Sequence, residues 1–191
     1  MIIGITGGTG CGKTTLLNLI REAGGTVLDC DAIYHRLLET DRQLLADIEA
    51  RFPGTVEAGV LQRKKLGALV FSDPAALADL NRITHSAIDK EVTRLLTPEP
   101  ALAAIDAIAL VESGLARRCD VTVAVTAPTE ARVQRIMARD GITQEYALAR
   151  IQAQPSNEVF SGICDYTLEN DGTSQAFQGK CLAFLSKLAI I

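Results

Sequence analysis

The chain has 191 residues, 48% apolar and 22% charged, with a net charge of −4 and a pI of about 5.2. That length suffices for one sizeable core with an inserted lobe, and the composition argues against a disordered chain or one that coats duplex nucleic acid. Cys11, Cys30, Cys119, Cys164 and Cys181 are widely spaced and form no CxxC pair, so reduced thiols are expected, and neither a zinc site nor a disulfide framework. MIIGITGG has no basic n-region and no long apolar run, and no apolar stretch reaches membrane-spanning length. The expectation is a soluble cytoplasmic protein without a membrane or nucleic-acid partner.

In chain order, MIIGIT is short, Ile-rich and stops at Gly7-Gly8, as a buried strand does. KTTLLNLIREAG places Leu16, Leu19, Ile20 and Ala23 on one helical face and closes at Gly24-Gly25. TVLDCD reads as a second strand ending in acids. From about Ala32 to Leu96 the pattern is mostly helical, and Pro98 and Pro100 end it. A buried strand follows from Ala101 to about Ala107, and VTVAVTAP is the cleanest strand in the chain. PTEARVQRIMARDG predicts a helix with Arg132, Arg135 and Arg139 on one face, expected for Arg132 and Arg135 to be a solvated one. ITQEYALARIQAQ is another helix, CDYTLENDG a last strand and turn, and SQAFQGKCLAFLSKLAII a final amphipathic helix. Short buried strands alternating with helices mean a parallel sheet covered on both faces. The helical stretch between strands two and three is too long for a crossover and must be an inserted lobe; a smaller insertion lies near 140–163.

Gly7-x4-Gly12-Lys13-Thr14 matches GxxxxGK[ST] between a strand and a helix, the context a phosphate-binding loop requires. Its glycines let backbone N–H groups turn inward as an anion nest, and the following helix adds its positive end. Lys13 then meets the outer phosphates of a triphosphate, and Thr14 offers a hydroxyl to Mg²⁺. DxxG and NKxD are absent, which speaks against a GTPase switch. A small-molecule kinase needs a base near the γ-phosphate, an acceptor pocket and mobile cations. In LDCD, Asp29 and Asp31 end the second strand, where ligands of open parallel sheets bind. Asp31 either serves as that base, and also as a Mg²⁺ ligand, or caps the next helix; spacing leaves both open.

GITGGTGCGKTT, LDCDAIYHRLL, LGALVFSDPAALADLNRITH, ALVESGL, ARDG and DYTLENDG, in this order and spacing, resemble the dephospho-CoA kinase family over nearly the whole chain. The resemblance implies an α/β fold, a P-loop three-layer sandwich with a five-stranded parallel sheet, an inserted helical substrate lobe and a small lid. The nucleotide-binding core would be 1–31, 97–139 and 164–191, the CoA-binding lobe 32–96 and the lid 140–163. The implied reaction moves the ATP γ-phosphoryl to the 3′-hydroxyl of the dephospho-CoA ribose, with Mg²⁺. Asp31 matches the family's general base. Lys13 and Arg139, at the base of the lid, would screen the transferring group. Gly8, Gly10, Cys11, Gly12, Lys13, Thr14 and Thr15 would hold ATP phosphates, and Asn170 and Gly172 would lie near the adenine through backbone contacts. His35, His85, Asp106 and Glu112 would join Asp31 at the acceptor, and Thr14 and Asp31 would hold the metal. The chain departs from the family at Cys11, where serine is usual, at Ser86, where proline usually follows the histidine, at Ile108–Leu110, where Pro-Leu-Leu is common, and after Gln154, where a basic residue is common. Cys11 reads either as a small, tolerated neighbour of the phosphates or, because a thiol at a helix N-terminus tends toward a lower pKa, as a site of oxidation or alkylation that ATP would protect. Two other readings stay open on residues alone: a P-loop kinase for another small alcohol, and a nucleotide-binding regulator without turnover.

Overall fold

Three isoleucines in five residues bury β1 (Ile2–Thr6) on both faces, and this strand organises the sheet. The chain, described over residues 1–191 by a computed structural model, continues from β1 into α1 (Lys13–Glu22) and β2 (Thr26–Asp29). Next come α2 (Cys30–Thr40), α3 (Arg42–Arg51), the short strands β3 (Val56–Glu57) and β4 (Val60–Leu61), α4 (Arg63–Val70) and α5 (Pro74–Leu95). Then follow β5 (Ala103–Asp106), a 3-10 turn at Leu115–Arg118, β6 (Val121–Thr126) and α6 (Thr129–Asp140). The last elements are α7 (Gln144–Gln152), α8 (Asn157–Gly162), β7 (Tyr166–Glu169) and α9 (Ser174–Lys187).

Two compact units result: Met1–Leu28 with Pro100–Ile191, and Asp29–Glu99. The first holds a five-stranded sheet in the order β2-β5-β1-β6-β7. β1 pairs parallel with β5 and β6, and β6 pairs parallel with β7. The central strands β1 and β6 are buried at every position, while the edge strand β7 alternates half-buried and exposed, as edge position requires. On one face, Leu16, Leu17, Leu19 and Ile20 of α1 pack with Phe177, Cys181, Phe184 and Leu185 of α9 against Ile3, Ile5, Val123 and Val125. Val133 and Ile136 of α6 form a separate cluster with Ala147 and Ile151 of α7. The second half of the segment expected as a lid packs back as α8: Phe160 is fully buried, and the Asn157 amide donates to the Ala127 carbonyl at 2.9 Å. Truncating a buried Phe of this kind costs about 3–5 kcal/mol.

In the second unit α5 packs against α2, α3 and α4. Two expectations are corrected here. The second strand ends at Asp29, not at Asp31. The Asp29 carboxylate accepts the Ala32 N–H at 3.0 Å and caps α2, so helix begins at Cys30 and Asp31 lies in its first turn. The stretch read as mostly helical also contains the β3–β4 hairpin, with Val56 opposite Leu61 and Glu57 opposite Val60, where glycines and β-branched residues interrupt the helical pattern.

Candidate active site

After Thr6 the chain leaves the sheet through Gly7, whose φ is 138°. A Cβ there would run into the Val125 carbonyl oxygen of β6, so only glycine lets the loop turn this close to the neighbouring strand. The Thr6 hydroxyl donates to the Ile108 carbonyl at 2.9 Å and ties the start of the loop to the segment after β5.

Three successive carbonyl oxygens of the loop are held from outside. Arg132 Nε donates to Thr9 O at 2.9 Å, Arg135 Nη1 to Gly10 O at 3.1 Å, and Asn170 Nδ2 to Cys11 O at 2.9 Å. The two groups of a peptide unit point in opposite directions. Drawing these oxygens outward therefore turns the N–H groups of Gly10 and Gly12 inward, toward the unsatisfied N–H groups in the first turn of α1. The Cys11 N–H closes the loop on Gly8 O at 3.3 Å. The outcome is a concave array of donors at the positive end of a ten-residue helix, the arrangement that binds phosphate.

Lys13 folds back over this array. Its Nζ donates to Gly7 O at 2.8 Å and lies 3.8 Å from an Asp106 carboxylate oxygen at the end of β5. Thr14 stands exposed in the first turn of α1, and Thr15 donates its N–H to Gly12 O. Arg139 pairs through two nitrogens with Asp140, and its Nη2 lies 3.4 Å from the Thr9 hydroxyl. Arg150 pairs with the same Asp140 at 2.6 Å. The hydrogen bond from Arg139 holds the Asp140 carboxyl below its ordinary value, with the two guanidinium charges adding to it.

Lys13 with Gly8, Gly10, Cys11, Gly12, Thr14, Thr15, Asp106, Arg139 and Asn170 of the expected set thus surround one loop. Gly172 lies exposed two residues beyond Asn170 and just before α9. Glu112 is exposed in the irregular segment after β5, where its charge acts on the Cys164 thiol ahead of β7; it does not join the loop. In the second unit, Asp31 and His35 stand one turn apart on α2, and His85 is half-buried on α5. Arg63 Nη2 lies 3.1 Å from His35 Nδ1; a guanidinium only donates, so Nδ1 accepts and the ring proton sits on Nε2.

Two readings of the sequence need correction, and the two alternatives for Cys11 are decided. Arg132 and Arg135 do not form a solvated face: Arg132 is only 2% exposed, and both guanidinium groups bind loop carbonyls. Their spacing with Arg139 was the available signal, but helical period alone does not say what lies opposite. Asn170 contributes through its buried side chain, not through its backbone alone. It donates to Cys11 O, and its own Oδ1 accepts from Arg135 at 3.1 Å. Cys11 is fully buried, and desolvation raises its thiol pKa; the charges of Arg132 and Lys13 oppose the shift without reversing it. The helix N-terminus loses to burial, so Cys11 is not an activated thiol.

The profile of the family described as dephospho-CoA kinase matches residues 1–176. This chain belongs to that family. A dephospho-CoA kinase from Deinococcus radiodurans is 39% identical over 98% of this chain and 92% of its own length. A solved Thermus thermophilus structure superposes with a TM-score of 0.82 at 37% identity, covering 98% of this chain and 97% of that one. The structure of a dephospho-CoA kinase from Campylobacter jejuni, 24% identical, shares the fold at a TM-score of 0.67 over 98% of this chain and 96% of that one. Membership in the dephospho-CoA kinase family makes the chain an ATP-dependent kinase.

Proposed function

We propose that the chain transfers the γ-phosphoryl group of ATP to the 3′-hydroxyl of the dephospho-CoA ribose, releasing CoA and ADP in the cytoplasm. The observation that carries the reading is the loop itself. Its three outward-held carbonyls prearrange inward N–H groups before any phosphate arrives, and prearranged donors cost little to reorganise in the transition state. The segment Gly10 to Thr15 binds the β- and γ-phosphates, through the inward N–H groups of Gly10 and Gly12 and those of the first turn of α1. Lys13 leaves Gly7 O and Asp106 for the outer phosphates, exchanging a carbonyl for a charged partner. Asp31 orients the 3′-hydroxyl and takes its proton, and Arg139 screens the transferring group.

The donor set suits Mg²⁺. Beside the loop it offers hard oxygens, the Thr14 hydroxyl and the Asp106 carboxylate, and Asp31 is the further ligand the family resemblance implies. Mg²⁺ keeps waters and phosphate oxygens and takes few protein ligands. Bound there, it would neutralise charge on the β- and γ-oxygens. The acceptor site is assigned to Asp31 together with His35 and His85 of the lobe 32–96, and the closing element to the part of 140–163 that precedes the packed α8.

The test is ADP release by the purified protein with MgATP and dephospho-CoA, adenosine, gluconate or shikimate, with CoA identified by mass. Turnover confined to dephospho-CoA is expected. Asp31→Asn is expected to bind MgATP normally and to lose about 10²–10⁴-fold in kcat, the usual contribution of a general base. Retained turnover in that variant would remove Asp31 from the role, and turnover only with another alcohol would replace the substrate.

A further inference from the structure

Arg132 is the most buried charged side chain of the chain, and the mechanism above gives it no contact with substrate. Its guanidinium lies against Gly8, where any Cβ would collide with Arg132 Nη2 and crowd Gln154 Oε1. Gln154 follows the last turn of α7, held there by its N–H to Ile151 O at 3.2 Å. Gln154 Oε1 accepts the Thr9 N–H at 2.8 Å and also Arg132 Nη2 at 3.3 Å, while Arg132 Nε donates to Thr9 O at 2.9 Å. Both backbone polar groups of Thr9 are therefore taken by side chains from outside the loop, and the two side chains hold each other.

We infer that Arg132 and Gln154 are positioning residues that set the curvature of the phosphate-binding loop and couple it to the end of α7. Neither touches the phosphates. Fixing Thr9 on both sides decides which way the Gly10 N–H faces, so the loop is shaped before ATP binds. The buried guanidinium has no carboxylate partner among its contacts; two neutral oxygens hold it, Thr9 O and Gln154 Oε1. Its charge therefore remains largely uncompensated beside the loop, where it favours an anionic ligand. The segment after Gln154 carries no Lys or Arg up to Asp165, so Arg132 supplies positive charge at the loop that this segment does not. The link to α7 makes loop geometry and the placement of that helix one variable.

This rests on the reading of the loop as the ATP site. The experiment measures the MgATP Kd by calorimetry, together with kcat, the KM for each substrate and the ATP-free Tm. The proteins are the wild type, Arg132→Met, Arg132→Lys, Gln154→Ala and the double variant Arg132→Met/Gln154→Ala. Arg132→Met and Gln154→Ala are expected to weaken MgATP by about ten- to a hundredfold, the scale of one or two charge-assisted hydrogen bonds. The double variant should be little worse than Arg132→Met, because both act on one peptide. Arg132→Lys should recover part of the loss through a single donor to Thr9 O. The KM for dephospho-CoA should not move. Unaltered MgATP affinity in Gln154→Ala, additive losses in the double variant, or an equal rise in both KM values would overturn the inference. If Arg132→Met fails to fold, the half-buried Gln154 carries the test alone. A wild type that binds no MgATP would overturn the reading of the loop instead.

Discussion

Replacing Asn170 with alanine tests whether the loop is held from outside. The side chain makes one neutral hydrogen bond, to Cys11 O at 2.9 Å, and accepts one from the Arg135 guanidinium at 3.1 Å. The first is worth about 1 kcal/mol net and the second about 1.5–3 kcal/mol, and the Cys11 carbonyl is left without its donor. The sum is roughly 2.5–4 kcal/mol, which for a chain of this size lowers Tm by roughly 5–15 °C. Part of that cost falls on the loop, which must then be ordered by the ligand. MgATP should bind about tenfold more weakly or worse, since tenfold corresponds to about 1.4 kcal/mol. Asn170→Asp separates the two contacts. The carboxylate still accepts from Arg135, and its charge favours that pair, but it offers no N–H to Cys11 O and repels it. The expectation is MgATP binding as weak as in Asn170→Ala despite a smaller fall in Tm. Scanning calorimetry and isothermal titration supply both numbers. Wild-type MgATP affinity in Asn170→Asp would refute the claim that outward-held carbonyls shape the loop.

Acid should destabilise the chain in a defined window. Asp79 is held below its ordinary 3.8 first by the hydrogen bond from Arg82, Asp140 by that from Arg139, Asp165 by those from Thr122, and Glu91 below 4.5 by that from Arg94. Such groups contribute stability that is complete above the unfolded values and is lost as pH falls through the lower folded ones. The urea midpoint should hold from pH 7 to about 5 and fall below that, and Asp165→Asn should remove part of the slope. A midpoint that fell between pH 7 and 5 would contradict this. Burial raises the thiols of Cys11 and Cys164, and pushes Cys119 up to about 12 and Cys181 to about 11. Maleimide at neutral pH should therefore label these four far more slowly in the native chain than in denaturant. Fast native labelling of Cys11 that MgATP blocks would restore the reactive-thiol reading of that residue.

Much of the candidate site's loop is local and was legible in the residues. A strand, GxxxxGK[ST] and a helix follow one another, and the geometry of an anion nest depends on backbone angles that glycine placement nearly dictates. Strand burial was legible for the same reason: Ile2–Thr6 and Val121–Thr126 are apolar runs too short for anything but central strands. The family likeness rested on six such segments in order. Where β2 stops was not legible, because whether Asp29 or Asp31 caps α2 depends on which carboxylate reaches the Ala32 N–H, a difference of two residues that composition cannot decide.

The sequence by itself determined the loop, the five strands of the parallel sheet in chain order, and the kinase family, because each is written in near neighbours along the chain. Tertiary structure alone decided what the arginine face of α6 does. Arg132 and Thr9 are 123 positions apart, Arg135 and Gly10 125, and Asn170 and Cys11 159. Helical period places three guanidinium groups on one side, but only packing of α6 beside the loop takes Arg132 out of water and sets its donors against carbonyl oxygens. Burial likewise decided between the two readings of Cys11: a helix end favours a thiolate, the loss of water disfavours it, and the balance depends on neighbours that lie far along the chain.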